Sequence, residues 1–241
     1  MIFSAPEFCL EVVEECTSTN EVLLARRERA DFPGSALLSL RQSAGYGRRG
    51  QEWWSGEGNL ALSVALRLPL GGAHITLLPF FAGLALMDVL GPLIPAEAVA
   101  QLKWPNDLYL QGRKLSGIIA QARQSSEHTD VVLGVGVNLA EAPPGMDAIA
   151  LSEVVNPPRA EEFAADFLRA LHARLHSVED FSALRASWEK AARLREVQLR
   201  VVGREGIFRG VQLLPTGELQ VQDEGGALAV LASEEVSLRL V

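Results

Sequence analysis

VAQLKWPNDLYLQGRKLSGIIAQA, residues 99–122, and VVLGVGVN, residues 131–138, form the part of the chain whose reading decides the fold. Apolar residues alternate in short runs bounded by turn residues, which is the period of a pleated strand and not of a helix. Four strands are predicted: Val99 to Trp104, Leu108 to Leu110, Leu115 to Ala122 and Val131 to Asn138, with Gln111-Gly112-Arg113 as a hairpin turn. Pro105 bars Trp104 from a helix and suits a strand end. Strict alternation would place Lys114 and Ser116 together, opposite Leu115, Gly117 and Ile119. Gly134 and Gly136 leave one face of a buried strand without side chains, so something approaches closely there; a packed helix or a ligand serves equally well.

Outward from this segment, Leu10 to Val13 reads as a strand, Ser18-Thr19-Asn20 as the cap of a helix over Glu21 to Arg29, and Ser35 to Leu40 as a second strand. Gln42 to Gly58 holds five glycines and is a loop. Asn59 to Leu66 alternates as a half-buried strand, and Ile75 to Leu90 has the length of a core helix. Glu141 to Gly145, with Pro143-Pro144, is a loop, and Glu161 to His176 and Phe181 to Arg193 are helices. Past Arg195 come five short strands, Val197 to Val202, Gly206 to Leu213, Glu218 to Gln222, Ala227 to Leu231 and Val236 to Leu240, the texture of a small barrel. The predicted class is α+β: a mixed, mostly antiparallel sheet backed by helices over residues 1–193, and a small β-barrel over residues 194–241.

Composition narrows function. A net charge of −8 opposes nucleic-acid binding, and no apolar run reaches the ~18 residues of a membrane helix. Cys9 and Cys16 are too few for a disulfide framework. The acidic N-terminus, with no basic stretch, predicts no signal peptide and hence a cytoplasmic protein. His172 and His176 stand at i, i+4 but lack the third ligand of a zinc site, so no metal site is expected.

Gly45-Tyr46-Gly47-Arg48-Arg49-Gly50 matches a dinucleotide-binding string, but Gln51 to Gly58 continues as loop where that fingerprint needs a helix. The physical content survives: glycines let backbone N–H groups approach an anion, and two arginines add charge. Lys114, on a strand lining a cleft, would be a mobile cation able to follow a reacting carboxylate. From its own stretch a solvated turn lysine is the simpler reading. Trp53-Trp54 reads either as a core anchor or as a stacking platform.

Taken in order and spacing, Ser18-Thr19-Asn20, the glycine loop with Asn59-Leu60 after it, K-W-P-N-D from Lys103, R-K-L-S-G from Arg113 and G-V-G-V-N ending at Asn138 resemble the biotin protein ligase family, over residues 10 to 240. The resemblance implies a class II synthetase-like sheet with an SH3-like C-terminal barrel, and an enzyme that forms biotinyl-5′-AMP from biotin and ATP with Mg2+, without a tightly bound prosthetic group. It then transfers biotin to a lysine of a biotin carboxyl carrier domain. The implied catalytic residues are Lys114 and Arg48. Biotin would be met by Ser18, Thr19, Asn20, Gln42, Gly45, Arg48, Lys114, Gly117 and Ile118, and the nucleotide by Gly47, Arg48, Gly50, Trp53, Asn106, Lys114 and Asn138. A homodimer is implied, with no nucleic-acid or membrane partner. With strand one expected from Leu10, the winged helix of bifunctional members is not expected ahead of it. Tyr46 and Gln51 stand where the family carries arginines, and Gln121 where it carries glutamate. A lipoate or octanoate ligase on the same fold, and a non-catalytic biotin sensor, are the alternatives.

Overall fold

The computed structural model describes residues 7–70, 75–177, 180–202, 204–232 and 238–240. Strand β1 (Cys9–Cys16) is followed by the short helix α1 (Thr19–Ala25) and strand β2 (Ser35–Gln42). Then come β3 (Leu60–Pro69), helix α2 (Leu78–Leu90), and strands β4 (Ala100–Lys103), β5 (Asp107–Leu110), β6 (Arg113–Gln124) and β7 (His128–Val137). The strands form one seven-stranded sheet in the order β1-β2-β3-β7-β6-β5-β4. Only β1 and β2 are parallel, because α1 provides the crossover that a parallel pair requires.

Residue parity on the central strands assigns the two sides of this sheet. Val131, Leu133, Val135 and Val137 join the main core, which α2 shares with helices α3 (Ala160–Ser177) and α4 (Phe181–Ala191). Val132 turns the other way and packs with Leu23, Phe32, Leu37 and Ala65 beneath α1. On that same α1 side, cross-strand registry lines up Ala61, Gly136 and Gly117 in one row, and Ser63, Gly134 and Ile119 in the next. Of these six positions only Ile119 carries a large side chain, and a cleft lies over them.

A second antiparallel sheet follows, with β8 (Gln198–Val201), β9 (Phe208–Leu213), β10 (Leu219–Asp223), β11 (Leu228–Leu231) and β12 (Leu238–Leu240) in the order β11-β10-β9-β8-β12. It is consistent with the small barrel expected from the sequence; Val236 and Ser237 of the last expected strand lie outside the described residues. Leu199, Phe208, Leu213 and Leu219 belong to the main core, and the buried indole of Trp104 donates to Gly217 O at 3.0 Å, so the two sheets share apolar contacts. No helix among the described residues is long and apolar enough to cross a membrane.

Three local expectations change. The first helix is shorter than predicted and Ser18, though at its N-cap, makes no capping bond with its side chain. Instead the Thr19 N–H is taken by Gln42 Oε1 at 2.8 Å, a tertiary partner displacing the local one. Ile75 to Leu77 is a 3-10 turn ahead of α2. The third change moves a side chain between faces. Leu108 pairs with Ser116 but Tyr109 pairs with Lys114, so β6 carries a bulge around Leu115. The extra residue breaks the alternation and returns Lys114 to the side of Gly117, where a Cβ built on Gly117 would lie 3.5 Å from Lys114 Nζ. The hairpin turn falls where expected, with Gln111 and Gly112, at φ of 52° and 76°, as the two left-handed positions of a two-residue loop and Arg113 already paired with Leu110 in β6.

Phe163 of α3 is fully buried in the main core. Truncation by Phe163→Ala is expected to cost about 3–5 kcal/mol, the range for a large aromatic removed from a packed core, read from the urea unfolding midpoint.

Candidate functional site

On the α1 face a cleft of about 340 Å³ opens between α1, the glycine loop and the turn between β4 and β5. One end is polar. Ser18, Thr19 and Asn20 are each at least 96% buried, which a polar triplet tolerates only if its groups are paired. Thr19 donates to Gln42 Oε1 through both its N–H (2.8 Å) and its hydroxyl (3.1 Å), and Gln42 Nε2 donates to Ser55 Oγ at 3.1 Å. The buried Ser63 hydroxyl has one proton between two acceptors, Thr19 Oγ1 at 2.6 Å and Asn20 Oδ1 at 2.5 Å. Asn20 Nδ2 donates to Gln121 Oε1 at 2.7 Å, and that oxygen also accepts from Tyr46 OH at 3.1 Å. Tyr46 and Gln121 are therefore each other's partners.

The glycine loop is organised without a helix. Tyr46 bridges Glu52 in antiparallel fashion, Arg48–Gly50 forms a single 3-10 turn, and Gly47 N–H donates to Gln51 O at 2.7 Å. This arrangement brings Trp53 back onto the sheet. Its indole covers Gly136, where a Cβ would stand 2.2 Å from Cε2, and a Cβ on Gly117 would meet the same ring at 3.0 Å. Asn20 closes in on Gly134 in the same way, at 2.3 Å from the Cβ position. The two glycines thus serve a helix and a loop tryptophan at once. Trp53 Nε1 is buried with no hydrogen-bond partner, a donor available to an acceptor entering the cleft.

The other end is charged. Lys114 Nζ lies 2.8 Å from Asp107 Oδ1 and 5.9 Å from the centroid of the Trp53 ring. Arg48 Nη1 donates to Asn106 Oδ1 at 2.9 Å, and Asn106 Nδ2 donates in turn to Ile118 O at 2.6 Å. Lys103 Nζ donates to Tyr109 OH at 2.7 Å. Burial, helped by the charges of Asp107 and Asp147, pushes the Tyr109 phenol up to about 12, so it stays protonated at neutral pH. Four cations, Arg48, Arg49, Lys103 and Lys114, line the cleft with two carboxylates, Glu52 and Asp107, an excess of positive charge that an anionic ligand would balance.

Among the residues proposed from sequence, Ser18, Thr19, Asn20, Gln42, Gly47, Arg48, Trp53, Asn106, Lys114, Gly117 and Ile118 all line this cleft. Three do not. Gly45 sits under the loop, where a Cβ would crowd Gln42 Nε2 (2.7 Å) and Trp53 O (2.9 Å); Gly50 adopts φ 71° at the outer turn. Asn138 lies behind Lys114, its Nδ2 donating to Ile149 O (3.2 Å) and Lys114 O (3.4 Å). It ties the chain after β7 to the strand that carries Lys114. Lys103, Asp107 and Tyr109, which also line the cleft, and Ser63 and Gln121, which bond to its polar end, were not among those proposed. The parity of Gly134 could have pointed to Ser63 once the pairing of β3 with β7 was known, but no local signal names that partner. His172 and His176 stack at 4.1 Å between centroids, and no group of metal-ligating residues occurs among the described residues.

A profile of the biotin/lipoate A/B protein ligase family matches residues 12–138. The chain is 37% identical over 222 residues to a biotin–[acetyl-CoA-carboxylase] ligase of Paracoccus denitrificans, covering 83% of this chain and 90% of that protein. It is 35% identical over 245 residues to the enzyme of the same description from Mycobacterium tuberculosis, covering 95% and 89%. Among solved structures, the biotin protein ligase from Aquifex aeolicus in complex with biotin and ATP superposes with a TM-score of 0.76 at 28% identity, covering 96% of this chain and 99% of that one.

The glycine floor makes a direct prediction. In Gly136→Ala the new methyl collides with the Trp53 indole and must displace it, whereas the strand pairing is untouched. Tryptophan emission is expected to shift while the urea midpoint moves little. The same substitution in a Trp53→Phe background should leave emission unchanged; a shift there would mean that another tryptophan is responsible.

Proposed function

Because the chain belongs to the biotin/lipoate A/B protein ligase family, we infer that it is a biotin protein ligase, which activates biotin with ATP as biotinyl-5′-AMP and transfers it to a protein lysine. The observation that carries this reading is the cleft itself: a buried polar pocket continuous with converging cations, in a chain whose relatives along most of its length are biotin–[acetyl-CoA-carboxylase] ligases.

We propose the following division of labour. The polar end, Ser18, Thr19, Asn20 and Gln42, holds the ureido ring of biotin, whose N–H and C=O groups need partners of both kinds. Gly117 and Ile118 support the ring's apolar side, and Gly45, Gly47, Arg48 and Gly50 shape the loop around carboxylate and phosphates. Trp53 lines the nucleotide pocket. Asn106 orients Arg48 towards the phosphates, and Asn138 acts through the backbone of Lys114. We assign the catalytic unit to residues 1–193 and the small C-terminal unit to residues 194–241.

In the first half-reaction a biotin carboxylate oxygen attacks the α-phosphorus of ATP and pyrophosphate leaves. Carboxylate and phosphate repel as they close, and Lys114, exchanging Asp107 for the substrates, relieves that repulsion between them. Arg48 neutralises charge from the loop side. In the second half-reaction the amine of a carrier lysine attacks the acyl carbon, the amine loses its proton, and AMP leaves with the C–O bond electrons, giving an amide. Magnesium enters with ATP as a substrate complex, held by the phosphates. We further propose that the acceptor is the carrier domain of acetyl-CoA carboxylase or a related carboxylase, that the enzyme is cytoplasmic, and that it forms a homodimer through its catalytic sheet. The sheet edge at β1 presents Val12 at 45% exposure.

Incubation with biotin, MgATP and the carrier domain should add one biotin increment to the carrier's intact mass. Lipoate offered beside biotin should be used poorly; preferential lipoyl transfer would replace this reading with its relative. Sedimentation with biotin and ATP present should give a dimer, and a monomer at high concentration would remove that proposal. Lys114→Met keeps the apolar stem but deletes the charge, so single-turnover adenylation should fall roughly 100-fold or more, with biotin affinity by calorimetry changed far less. Lys114→Arg should rescue poorly, since a rigid planar fork cannot follow a moving charge as an ammonium can. An unchanged rate in Lys114→Met would leave Arg48 as the main electrostatic catalyst.

A further inference from the structure

The hydrogen bonds of the polar pocket form a chain that starts and ends on the glycine loop. From Tyr46 it passes to Gln121, Asn20, Ser63, Thr19 and Gln42, and returns to Ser55. Gln121 is its least expected member. It sits on β6 opposite Val132, one row beyond the glycine floor, and does not line the cleft. A single atom, Oε1, accepts from both Asn20 Nδ2 (2.7 Å) and Tyr46 OH (3.1 Å). Since Ser63 holds Asn20 Oδ1 from the other side, the Asn20 amide cannot flip without losing both partners.

Resting on the ligase reading above, we propose that Gln121 is a positioning residue whose Oε1 couples the order of the glycine loop to occupation of the ring pocket. An occupant that immobilises Asn20 also immobilises the oxygen to which Tyr46 is tied, so the loop then orders at a smaller entropic cost. The coupling needs an acceptor at this place and no donor. A carboxylate therefore substitutes for the amide, while an apolar side chain of equal length does not.

The test uses the full chain, biotin as the probe, calorimetric affinity, and limited trypsin digestion at Arg48 and Arg49. In the wild type biotin should slow these cuts. Gln121→Met should bind biotin about tenfold more weakly, the scale of leaving one buried amide unpaired, and should gain no protection even when saturated. Gln121→Glu should be protected as the wild type is. Tyr46→Phe, which removes one hydroxyl from the loop, should lose protection and bind biotin more weakly by no more than the factor by which biotin slows the cuts in the wild type, because the coupling is reciprocal. Full protection of saturated Gln121→Met, or a Gln121→Glu variant that behaves like it, overturns the proposal. Wild-type protein that binds biotin without any change in cutting overturns it alone; wild-type protein that binds no biotin overturns the ligase reading and this proposal together.

Discussion

The close approach of other groups to Gly134 and Gly136 is the constraint on which the rest of the site depends. A strand in the middle of a sheet ordinarily presents side chains on both faces, and any Cβ at these two positions would stand within 2.3 Å of Asn20 or Trp53. Their absence lets α1 settle low enough for a buried polar triplet to reach Ser63, and lets the glycine loop fold its tryptophan onto the same floor. One strand's missing bulk thus sets the depth of the pocket, the orientation of its polar groups and the path of the loop that covers it. Neighbouring Ala61 and Gly117 extend the same economy of volume across three strands.

Electrostatics follow from this geometry. The chain is acidic overall, with a net charge of −8, yet Lys103, Arg48 and Lys114 are gathered along one cleft with Asp107 among them. Under the proposed function, holding Lys114 against Asp107 before the ligand arrives would keep its charge aimed and limit the reorganisation needed during reaction. The supporting bonds are mainly to backbone: Asn106 reaches Ile118 O, and Asn138 reaches Lys114 O and Ile149 O. Asn59 likewise fixes the chain leaving β7, accepting from Ala140 N and Glu141 N at 2.9 and 3.1 Å. Asparagine recurs because its amide both donates and accepts, so one side chain can close an irregular backbone segment that no ladder satisfies.

The opposite face of the sheet gives rigidity. Phe163, Phe167, Phe80 and Phe81 are buried there, and Phe80 meets Trp188 edge to face at 5.2 Å. The same core reaches the small C-terminal sheet, and Trp104, immediately before Pro105 at the cleft, donates to Gly217 O. Trp104, which belongs to the turn between β4 and β5 and itself lines the cleft, is therefore tied to the segment between β9 and β10.

Much of this was readable from the sequence, because some physical signals are local. Alternation in V-V-L-G-V-G-V-N marked a strand with one bare face, Gln111-Gly112 marked a turn that needs left-handed residues, and the glycine loop could not be regular. The spacing of K-W-P-N-D and R-K-L-S-G carried the family resemblance. What only the tertiary structure decided were matters of registry and partnership. The bulge at Leu115 put Lys114 on the face of Gly117, and no periodicity in the sequence announces an extra residue whose cause is the pairing with β5. Ser18 has the composition of a helix cap, but a tertiary bond from Thr19 N–H to Gln42 replaced the local one. Gln121 and Asn20 lie 101 residues apart and are joined by a hydrogen bond. A hydrogen bond leaves no period in a sequence, so its partners become legible only when folding has brought them within three ångströms or so of each other.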